Sequence, residues 1–532
     1  MNYTSCIDEH QHQHDNMKEL LYFTLLAGAQ AYLKLDFTRV PSANVLEKRA
    51  DDLSPVPLRN DVDQYIVQLA VGTPPQMVSV QLDTGSADLW FSGADNPYCK
   101  TNKKKAPKSK DLQPVDNSGF PTNPDQIGKK ARNLDCKKYG FFNMSSSSTF
   151  KNNDTDIFLY YEDLSFVRGT WGTDVVSMGG LNISGVNFAV AEISNSSSGV
   201  LGVSLPSEES TYSINSNGTM NATNYQYSNL PLQLKEQGII DKVTYSIYLN
   251  DTKSKYGSIL FGAVDHSKYT GTLYTLPLVN SEYDVVNKPY ELDITLNGIG
   301  YQSMSSNMTL YDQKVAALID SGTTISEFPD EIVEVVAKQM NATVDPNGNG
   351  IRLAKCPSKK DNAKLFFNLG GALIYVDIKE FTTKVKGKCY LEIIPSGADS
   401  DLVILGDNFM RSVYTVFDLE ANEVSIAQAN YNSSLPAQIE EIKSTVPSAV
   451  KAPQYYNTFS AIASISSVTG DIFGPEATAY MAPPANVSNT SNSSNSSVVN
   501  LERRSYDNAA TPLRLNSIIL IGVAAILATI FM

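Results

Sequence analysis

The feature that most constrains the fold is a short pattern that occurs twice in the chain. An apolar stretch leads into Asp83-Thr84-Gly85-Ser86 in the first half, and another leads into Asp320-Ser321-Gly322-Thr323 in the second. Each copy is followed by a later apolar segment that contains Leu-Gly, at 199–206 and at 403–410. A single Asp-Thr/Ser-Gly is a common turn, but two copies with matching flanks indicate an internal duplication. We therefore expect two related lobes that each contribute one aspartate.

Length and composition fit a two-lobed, mostly β protein. The 532 residues are too many for one ordinary core, because single cores stop growing at about 250–300 residues. The stretch 64–83 alternates apolar and polar residues around a Gly-Thr-Pro-Pro turn at 72–75, which predicts a hairpin. Helical periodicity is scarce, and 330–340 is one candidate. The formal net charge of −14 argues against nucleic-acid binding and is compatible with cationic substrates.

The N-terminal residues are typical of a secretory signal that is preceded by a polar extension. The apolar stretch 20–31 ends in Ala29-Gln30-Ala31, a small-x-small cleavage pattern. The residues before Met17 are polar and acidic, which is unusual for such a signal and makes Met17 a candidate start of translation. We assign 1–31 to the signal region.

A dibasic pair closes the next segment. Residues 32–49 end in Lys48-Arg49, between the signal and the first folded motif. We interpret 32–49 as a propeptide that is processed at this pair, with a solvated surface pair as the alternative.

The last hundred residues are typical of an anchored stalk. The stretch 485–499 is rich in Ser and Asn and carries several N-glycosylation acceptors, so 431–508 is interpreted as a glycosylated stalk. The apolar tail 518–532 has 15 residues, whereas a spanning helix needs about 20. Small residues beginning at Asn508 and a polar spacer precede the tail, so 509–532 resembles a glycosylphosphatidylinositol attachment signal. A tail-anchored helix is the alternative.

The cysteines indicate disulfides rather than metal. Cys6 precedes the signal, and the remaining four form an even set suited to an oxidising compartment. Three connectivities are open, of which we favour the local one, Cys99–Cys136 and Cys356–Cys389. There is no CxxC, and His266 is the one histidine outside the first 31 residues. A zinc site and a Ser-His-Asp triad are therefore disfavoured, and no metal or organic cofactor is expected.

From about 64 to 428 the chain resembles the pepsin-family aspartic proteases, and among them the yapsins, the glycosylphosphatidylinositol-anchored fungal members. The resemblance implies a mostly β, bilobal fold with the active site in the cleft between the lobes, which we place at 50–244 and 245–430. It implies an endopeptidase that acts on protein or peptide substrates without a cofactor. It also implies a secreted protein at the plasma membrane or cell wall, held by its anchor, with wall glucan as a further partner.

Paired aspartates provide a complete chemistry for peptide hydrolysis. Two carboxylates held about 3 Å apart cannot both ionise, so they share one proton. The ionised one accepts a proton from water, and the protonated one hydrogen-bonds the scissile carbonyl. Gly85 and Gly322 allow the two loops to approach each other. The hydroxyl residues of the two motifs are expected to orient the carboxylates or join the loops: Ser86 and Thr323 for the first role, Thr84 and Ser321 for the second.

By resemblance, the segment 158–176 is a flap hairpin that closes over the cleft. Its tyrosine is assigned to Tyr161, with Tyr160 as the alternative, and is expected to hydrogen-bond with Trp90. The family usually has Tyr-Gly-Asp-Gly at the tip, where this chain has Tyr161-Glu162-Asp163-Leu164. The loss of two glycines predicts a stiffer or differently shaped turn.

Acidic residues at the flap tip suggest the specificity. Asp163, with its neighbour Glu162, is placed to pair with a substrate Lys or Arg before the scissile bond, the preference that the yapsin resemblance implies. A broad, apolar, pepsin-like preference and a catalytically inactive surface glycoprotein are the alternatives. The loop 100–135 is rich in Lys, Pro and Gly and is expected to be exposed and easily cut between its cysteines.

Overall fold

The fold was analysed in a computed structural model. It describes the following residues: 31–40, 64–96, 98–99, 134–161, 165–196, 198–211, 225–281, 286–304, 307–346, 350–358, 362–396, 402–432, 434–459 and 470–473.

Short strands make up most of the described chain, as the alternating patterns predict. In the first half they are β1 Leu33–Val40, β2 Gln64–Val71, β3 Gln76–Asp83, β4 Leu89–Ser92, β5 Lys151–Tyr160, β6 Phe166–Met178, β7 Leu181–Ser194, β8 Gly199–Gly202, β9 Thr244–Tyr248, β10 Tyr256–Phe261, β11 Ala263–Asp265 and β12 Tyr269–Pro277. The later strands are β13 Asp293–Gln302, β14 Asn307–Tyr311, β15 Val315–Ile319, β16 Ser326–Phe328, β17 Thr343–Val344, β18 Ile351–Arg352, β19 Lys364–Leu369, β20 Ala372–Asp377, β21 Thr382–Val385, β22 Lys388–Leu391, β23 Ile393–Pro395, β24 Val403–Leu405, β25 Val413–Asp418, β26 Glu423–Ala429, β27 Ile439–Glu441 and β28 Ala449–Lys451.

Helices are short. They are α1 Cys136–Tyr139, α2 Leu230–Glu236, α3 Asp330–Gln339 and α4 Asp407–Met410. The helix predicted at 330–340 is therefore present as α3. It buries Ile332, Val333 and Val336 on one face. No helix of the described residues is long and apolar enough to cross a membrane.

One large sheet runs through both halves of the protein. Its fourteen strands follow the order β28-β12-β26-β25-β9-β10-β1-β2-β3-β8-β4-β7-β6-β5. A second sheet of eight strands is built from the second half, around β13, β15 and β24. The predicted mostly β, bilobal architecture is confirmed.

Strand β1 lies in the middle of the large sheet. It pairs antiparallel with β10 on one side and with β2 on the other. Leu33, Leu35 and Phe37 are buried, while the residues between them are exposed. The sequence assigns these residues to a propeptide, and the apolar alternation is the reason why they also form a well-packed strand.

The two aspartate motifs follow equivalent strands. In the first half β3 pairs in parallel with β8, so that Asp83 lies opposite Gly202. In the second half β15 pairs in parallel with β24, so that Ile319 lies opposite Leu405. The duplicated sequence pattern is thus a duplicated strand pair, and each pair ends at one aspartate.

The sequence analysis assigns the chain from residue 431 onwards to a stalk. In the structure, the segment 434–459 instead packs on the second lobe. Strand β27 pairs with β11, and β28 lies parallel to β12. Ile442 and Phe459 are buried in this segment. Leu435, Ile439, Ile442 and Val446 recur at three- and four-residue spacing, which is typical of a helix, so the pattern does not indicate the two short strands that form.

Both favoured disulfides are present, Cys99–Cys136 and Cys356–Cys389. The other predicted processing and anchoring features fall outside the described residues: the signal up to residue 30, Lys48-Arg49, the basic loop at 100–133, Asp163 and the segment 474–532 with Asn508.

Candidate active site

Asp83 and Asp320 meet where the two strand pairs end. The two carboxyl groups face each other, and the negative charge of Asp320 acts directly on Asp83. Asp83 is 7% exposed and Asp320 is 6% exposed. The structure therefore brings together two nearly buried carboxyl groups from distant parts of the chain, as the duplicated motif predicts.

The two loops hold their carboxylates in the same way. The Gly85 N–H donates to Asp83 Oδ1 at 2.9 Å, and Ser86 Oγ donates to Asp83 Oδ2 at 2.5 Å. At the second aspartate, the Gly322 N–H donates to Asp320 Oδ1 at 2.7 Å and Thr323 Oγ1 donates to Asp320 Oδ2 at 2.5 Å. Each carboxylate is thereby fixed in orientation by its own loop.

Thr84 and Ser321 join the loops beneath the carboxyl groups. Thr84 Oγ1 donates to Ile319 O at 2.7 Å and accepts from the Ser321 N–H at 2.9 Å. Ser321 Oγ donates to Leu82 O at 3.1 Å and accepts from the Thr84 N–H at 3.2 Å. These four bonds cross between the two halves and set the separation of the aspartates.

The glycines are needed because each one faces the other loop's aspartate. A Cβ on Gly85 would lie 2.8 Å from Asp320 Cγ, and a Cβ on Gly322 would lie 2.7 Å from Asp83 Cγ. Real Cβ atoms do not approach other atoms this closely, so a side chain at either position would push the carboxyl groups apart.

Burial raises the pKa of Asp83 well above its usual range, and the neighbouring charge of Asp320 raises it further. The Ser86 hydroxyl and the Gly85 N–H act in the opposite direction. A carboxyl pair in this situation retains one proton over a wide pH range. It can therefore supply an acid and a base to the same reaction.

Tyr161 lies in the first lobe, directly after β5, in the hairpin of β5 and β6 that the sequence predicts to be the flap. The Trp90 Nε1–H donates to the Tyr161 hydroxyl at 2.6 Å. The Tyr161 N–H donates to Ser165 O at 2.9 Å and closes the hairpin stem. Around them, Trp171, Ile157 and Val200 form an apolar cluster. This part of the site is shaped for an apolar contact.

Acidic side chains on the loop after β8 were missed in the sequence. Glu208 and Glu209 follow the Leu-Gly segment of the first lobe. The charge of Asp83 acts on Glu208, and Glu209 accepts from the N–H of Tyr227, whose hydroxyl donates to Asp88. The sequence does contain a pattern that points to them: two consecutive glutamates follow a strand that pairs with the strand of Asp83. It could not be interpreted without knowing which residues face them across the lobe boundary.

Comparisons with known proteins agree with this site. The family described as "Eukaryotic aspartyl protease" matches residues 64–429. Aspartic proteinase 3 of Saccharomyces cerevisiae is 42% identical over 459 residues, which cover 80% of this chain and 79% of that protein. Aspartic proteinase yapsin-3 of the same yeast is 40% identical over 447 residues, with 83% and 81% covered.

The fold comparison adds a solved structure. The crystal structure of the aspartic proteinase from Irpex lacteus superimposes with a TM-score of 0.52 at 21% identity, covering 76% of this chain and 99% of that one. The likeness supports the bilobal β fold.

A two-lobed β protein with this carboxyl pair and these relatives is an aspartic-type endopeptidase. The chain belongs to the eukaryotic aspartyl protease family, and it is of the yapsin type.

Proposed function

We propose that Asp83 and Asp320 act as one catalytic unit in this endopeptidase. The ionised member of the pair removes a proton from a water molecule as that water attacks the scissile carbonyl. The protonated member hydrogen-bonds the carbonyl oxygen, and the shared proton then passes to the leaving nitrogen. Because water attacks directly, no covalent acyl intermediate forms.

The observation that carries this proposal is the close approach of two nearly buried carboxyl groups that are held by matching loops. Ser86 and Thr323 each occupy one oxygen of a carboxyl group, so the proposal assigns the attacking water to the other oxygen of each. Thr84 and Ser321 serve as positioning residues, and the Tyr161–Trp90 pair closes the site over the substrate.

A hydrolysis assay with a pepstatin-type inhibitor tests the reaction class. Such an inhibitor presents a hydroxyl to the carboxyl pair and should abolish cleavage of peptide substrates. Serine-, cysteine- and metal-directed inhibitors serve as controls and should leave cleavage unchanged. Activity that resists the pepstatin-type inhibitor but yields to one of the controls would contradict the proposal.

We further propose that cleavage occurs after Lys or Arg, with basic pairs favoured. The net charge of −14 supports this, because it attracts cationic peptides. Asp163 and Glu162 are the candidate determinants before the scissile bond, on the basis of the flap-tip sequence alone.

A peptide series varied only at the residue before the scissile bond tests the preference. Lys and Arg peptides should be cleaved faster than Leu and Phe peptides by wild type. Asp163→Ser should reduce that difference. If wild type cleaves the apolar peptides faster than the basic ones, the specificity is pepsin-like. If it cleaves the basic peptides faster and Asp163→Ser does not change that difference, another residue determines the preference.

The apolar surroundings of Tyr161 favour a second candidate function, a broad endopeptidase with an apolar preference. Trp90, Trp171 and Val200 provide no charge to the space next to the flap tyrosine. The same peptide series decides between the two, because it compares basic and apolar side chains at one position.

For the cell, we propose a secreted enzyme processed at Lys48-Arg49, glycosylated along its Ser/Asn-rich segment and anchored to the cell surface at Asn508. Mass spectrometry of the mature protein should find no peptide from 1–31 and none beyond Asn508. A glycosylphosphatidylinositol-specific phospholipase should release the protein from membranes. Recovery of the intact 518–532 tail would contradict the anchor.

A further inference from the structure

A glutamine of the first lobe holds the loop that carries the second aspartate. Gln81 lies on β3, two residues before Asp83, and its Nε2–H donates to Gly322 O at 2.9 Å. Its neighbours Val80 and Leu82 are buried in the apolar core, and side chains alternate along a strand, so Gln81 and Asp83 share the opposite face. The first lobe thus reaches the second catalytic loop through this side chain.

The bond from Gln81 meets the loop where the loop holds its carboxyl group. The Gly322 N–H donates to Asp320 Oδ1, and the hydroxyl of the next residue, Thr323, donates to Asp320 Oδ2. Gly322 O, which accepts from Gln81, belongs to the peptide group between these two donors. A shift of that peptide group would move both donors relative to Asp320, so Gln81 acts on the carboxyl group through the loop.

Gln81 is the last member of a chain of hydrogen-bonded side chains. Gln64 Nε2–H donates to Gln81 Oε1 at 3.1 Å, and the Tyr139 hydroxyl donates to Gln64 Oε1 at 3.0 Å. Gln64 lies on β2, diagonally across from Gln81, because Ile66 is directly opposite. Tyr139 is nearly buried in α1, which begins at the disulfide-bonded Cys136. We call Tyr139, Gln64 and Gln81 the glutamine relay.

The last acceptor determines the direction of the glutamine relay. A backbone carbonyl can only accept, so Gln81 presents its amide nitrogen to Gly322 and its amide oxygen to Gln64. Gln64 must therefore donate to Gln81, and its own amide oxygen faces the hydroxyl of Tyr139. Each side chain is held in one orientation by the next, so that loss of one bond weakens the restraint on the others.

The position equivalent to Gln81 in the second lobe is apolar. It is Leu318, on β15, two residues before Asp320. A leucine side chain has no donor for the loop that carries Asp83. The bonds of Thr84 and Ser321 are reciprocal between the lobes, whereas the bond from Gln81 runs only from the first lobe to the second.

We propose that Gln81 is a positioning residue for catalysis, which keeps Asp320 in register with Asp83 by holding Gly322, and that Gln64 and Tyr139 hold Gln81 in place. The inference rests on the proposed function of the aspartate pair and adds a determinant of its geometry. Gln81 transfers no proton in this role. It acts on the rate through the loop of Asp320.

Replacement of Gln81 with Met tests the amide, because Met has a similar length and lacks the donor. kcat should fall about two- to tenfold, the usual effect of one net hydrogen bond. KM and thermal stability should change little, because the loss is in the placement of a catalytic group. Gln68→Met is the matched control, since Gln68 is an exposed glutamine on β2, and it should retain the kcat of wild type. Asp320→Asn in the same assay gives the rate without a complete dyad.

A double-mutant cycle tests the glutamine relay itself. Tyr139→Phe removes the hydroxyl that donates to Gln64 and should lower kcat about two- to threefold. The same substitution should have no further effect on kcat in the Gln81→Met variant, because the link to Gly322 is then already broken. A purely structural role of Tyr139 would not depend on Gln81 in this way. Should Gln81→Met fail to fold, Gln64→Met breaks the relay one residue earlier and should lower kcat in its place.

The proposal is overturned if the variant that breaks the relay retains the kcat of wild type. It is also overturned if Tyr139→Phe has the same effect on kcat, or none, in both backgrounds. Under either result an inactive Asp320→Asn variant would leave the endopeptidase mechanism standing. An active Asp320→Asn variant would instead refute the proposed function, independently of the result for Gln81.

Discussion

Glu209 should make the protein less stable as the pH rises. Its side chain is 1% exposed, one carboxylate oxygen accepts from the Tyr227 N–H at 3.0 Å, and the other has no hydrogen-bond partner. Burial raises the pKa of Glu209 from its ordinary value of 4.5 to about 8, and the charge of Asp88 contributes. The folded protein therefore holds this proton more tightly than the unfolded chain does.

The sign and size of the effect follow from proton linkage. Between pH 4.5 and 8 the unfolded chain loses the proton and the folded protein keeps it, so the free energy of unfolding falls as the pH rises. Each pH unit in this window lowers the free energy of unfolding by about 1.4 kcal/mol. From pH 5 to pH 7 the loss due to Glu209 alone is about 2.5 kcal/mol.

Replacing Glu209 with Gln should remove that loss. Urea unfolding of both proteins is measured at pH 5, 6 and 7, each in an Asp320→Asn background so that the enzyme does not digest itself. The two should be similar at pH 5, and Glu209→Gln should be more stable by pH 7. The exposed Glu192→Gln, on β7, is the control and should follow wild type. A difference between Glu209→Gln and wild type that does not grow with pH would refute the reasoning.

Three further predictions concern packing and geometry. Phe37→Asp should prevent accumulation of folded protein, measured as secreted yield, because it buries a charge in the central strand β1; Lys34→Asp, on the exposed face of the same strand, should be tolerated. Gly322→Ala should lower kcat by more than about tenfold, because displaced carboxyl groups need to raise the activation free energy by only ~1.4 kcal/mol for that effect. Thermal stability should change little. A fully active variant would refute the close approach of Gly322 to Asp83. Tyr161→Phe should lower kcat/KM about three- to tenfold by removing the hydrogen bond to Trp90, and an unchanged value would show that the bond does not assist catalysis.

The aspartate pair can be predicted from the sequence because the residues that define each half of it are neighbours in the chain. Strand, turn and hydroxyl positions all lie within four residues of each aspartate, and the motif is repeated, so one copy identifies the other. The hydrogen bonds of Ser86 and Thr323 follow from this spacing. The same holds for the two disulfides, each of which closes a loop of fewer than forty residues.

Features that are formed by segments far apart in the chain could not be predicted from the sequence. Glu208 and Glu291 are more than eighty residues apart, and the bond from Ser207 Oγ to Tyr290 O joins their two segments. Strand β1 alternates like any other strand, and nothing in its sequence indicates that its partners are β2 and β10. Ile442 and Phe459 are buried against residues of the second lobe that lie far away in the sequence.

The most direct test of the account is the activity of Asp83→Asn, Asp320→Asn and the double variant, compared at equal amounts of folded protein. To separate catalysis from maturation, all three are processed in trans before the assay. Because the carboxyl groups act as one unit, each single variant should lose about 10²–10⁴-fold in kcat or more, and the double variant should be no worse than either single one. Near-normal turnover in either single variant, or losses that multiply in the double variant, would contradict the shared-proton mechanism.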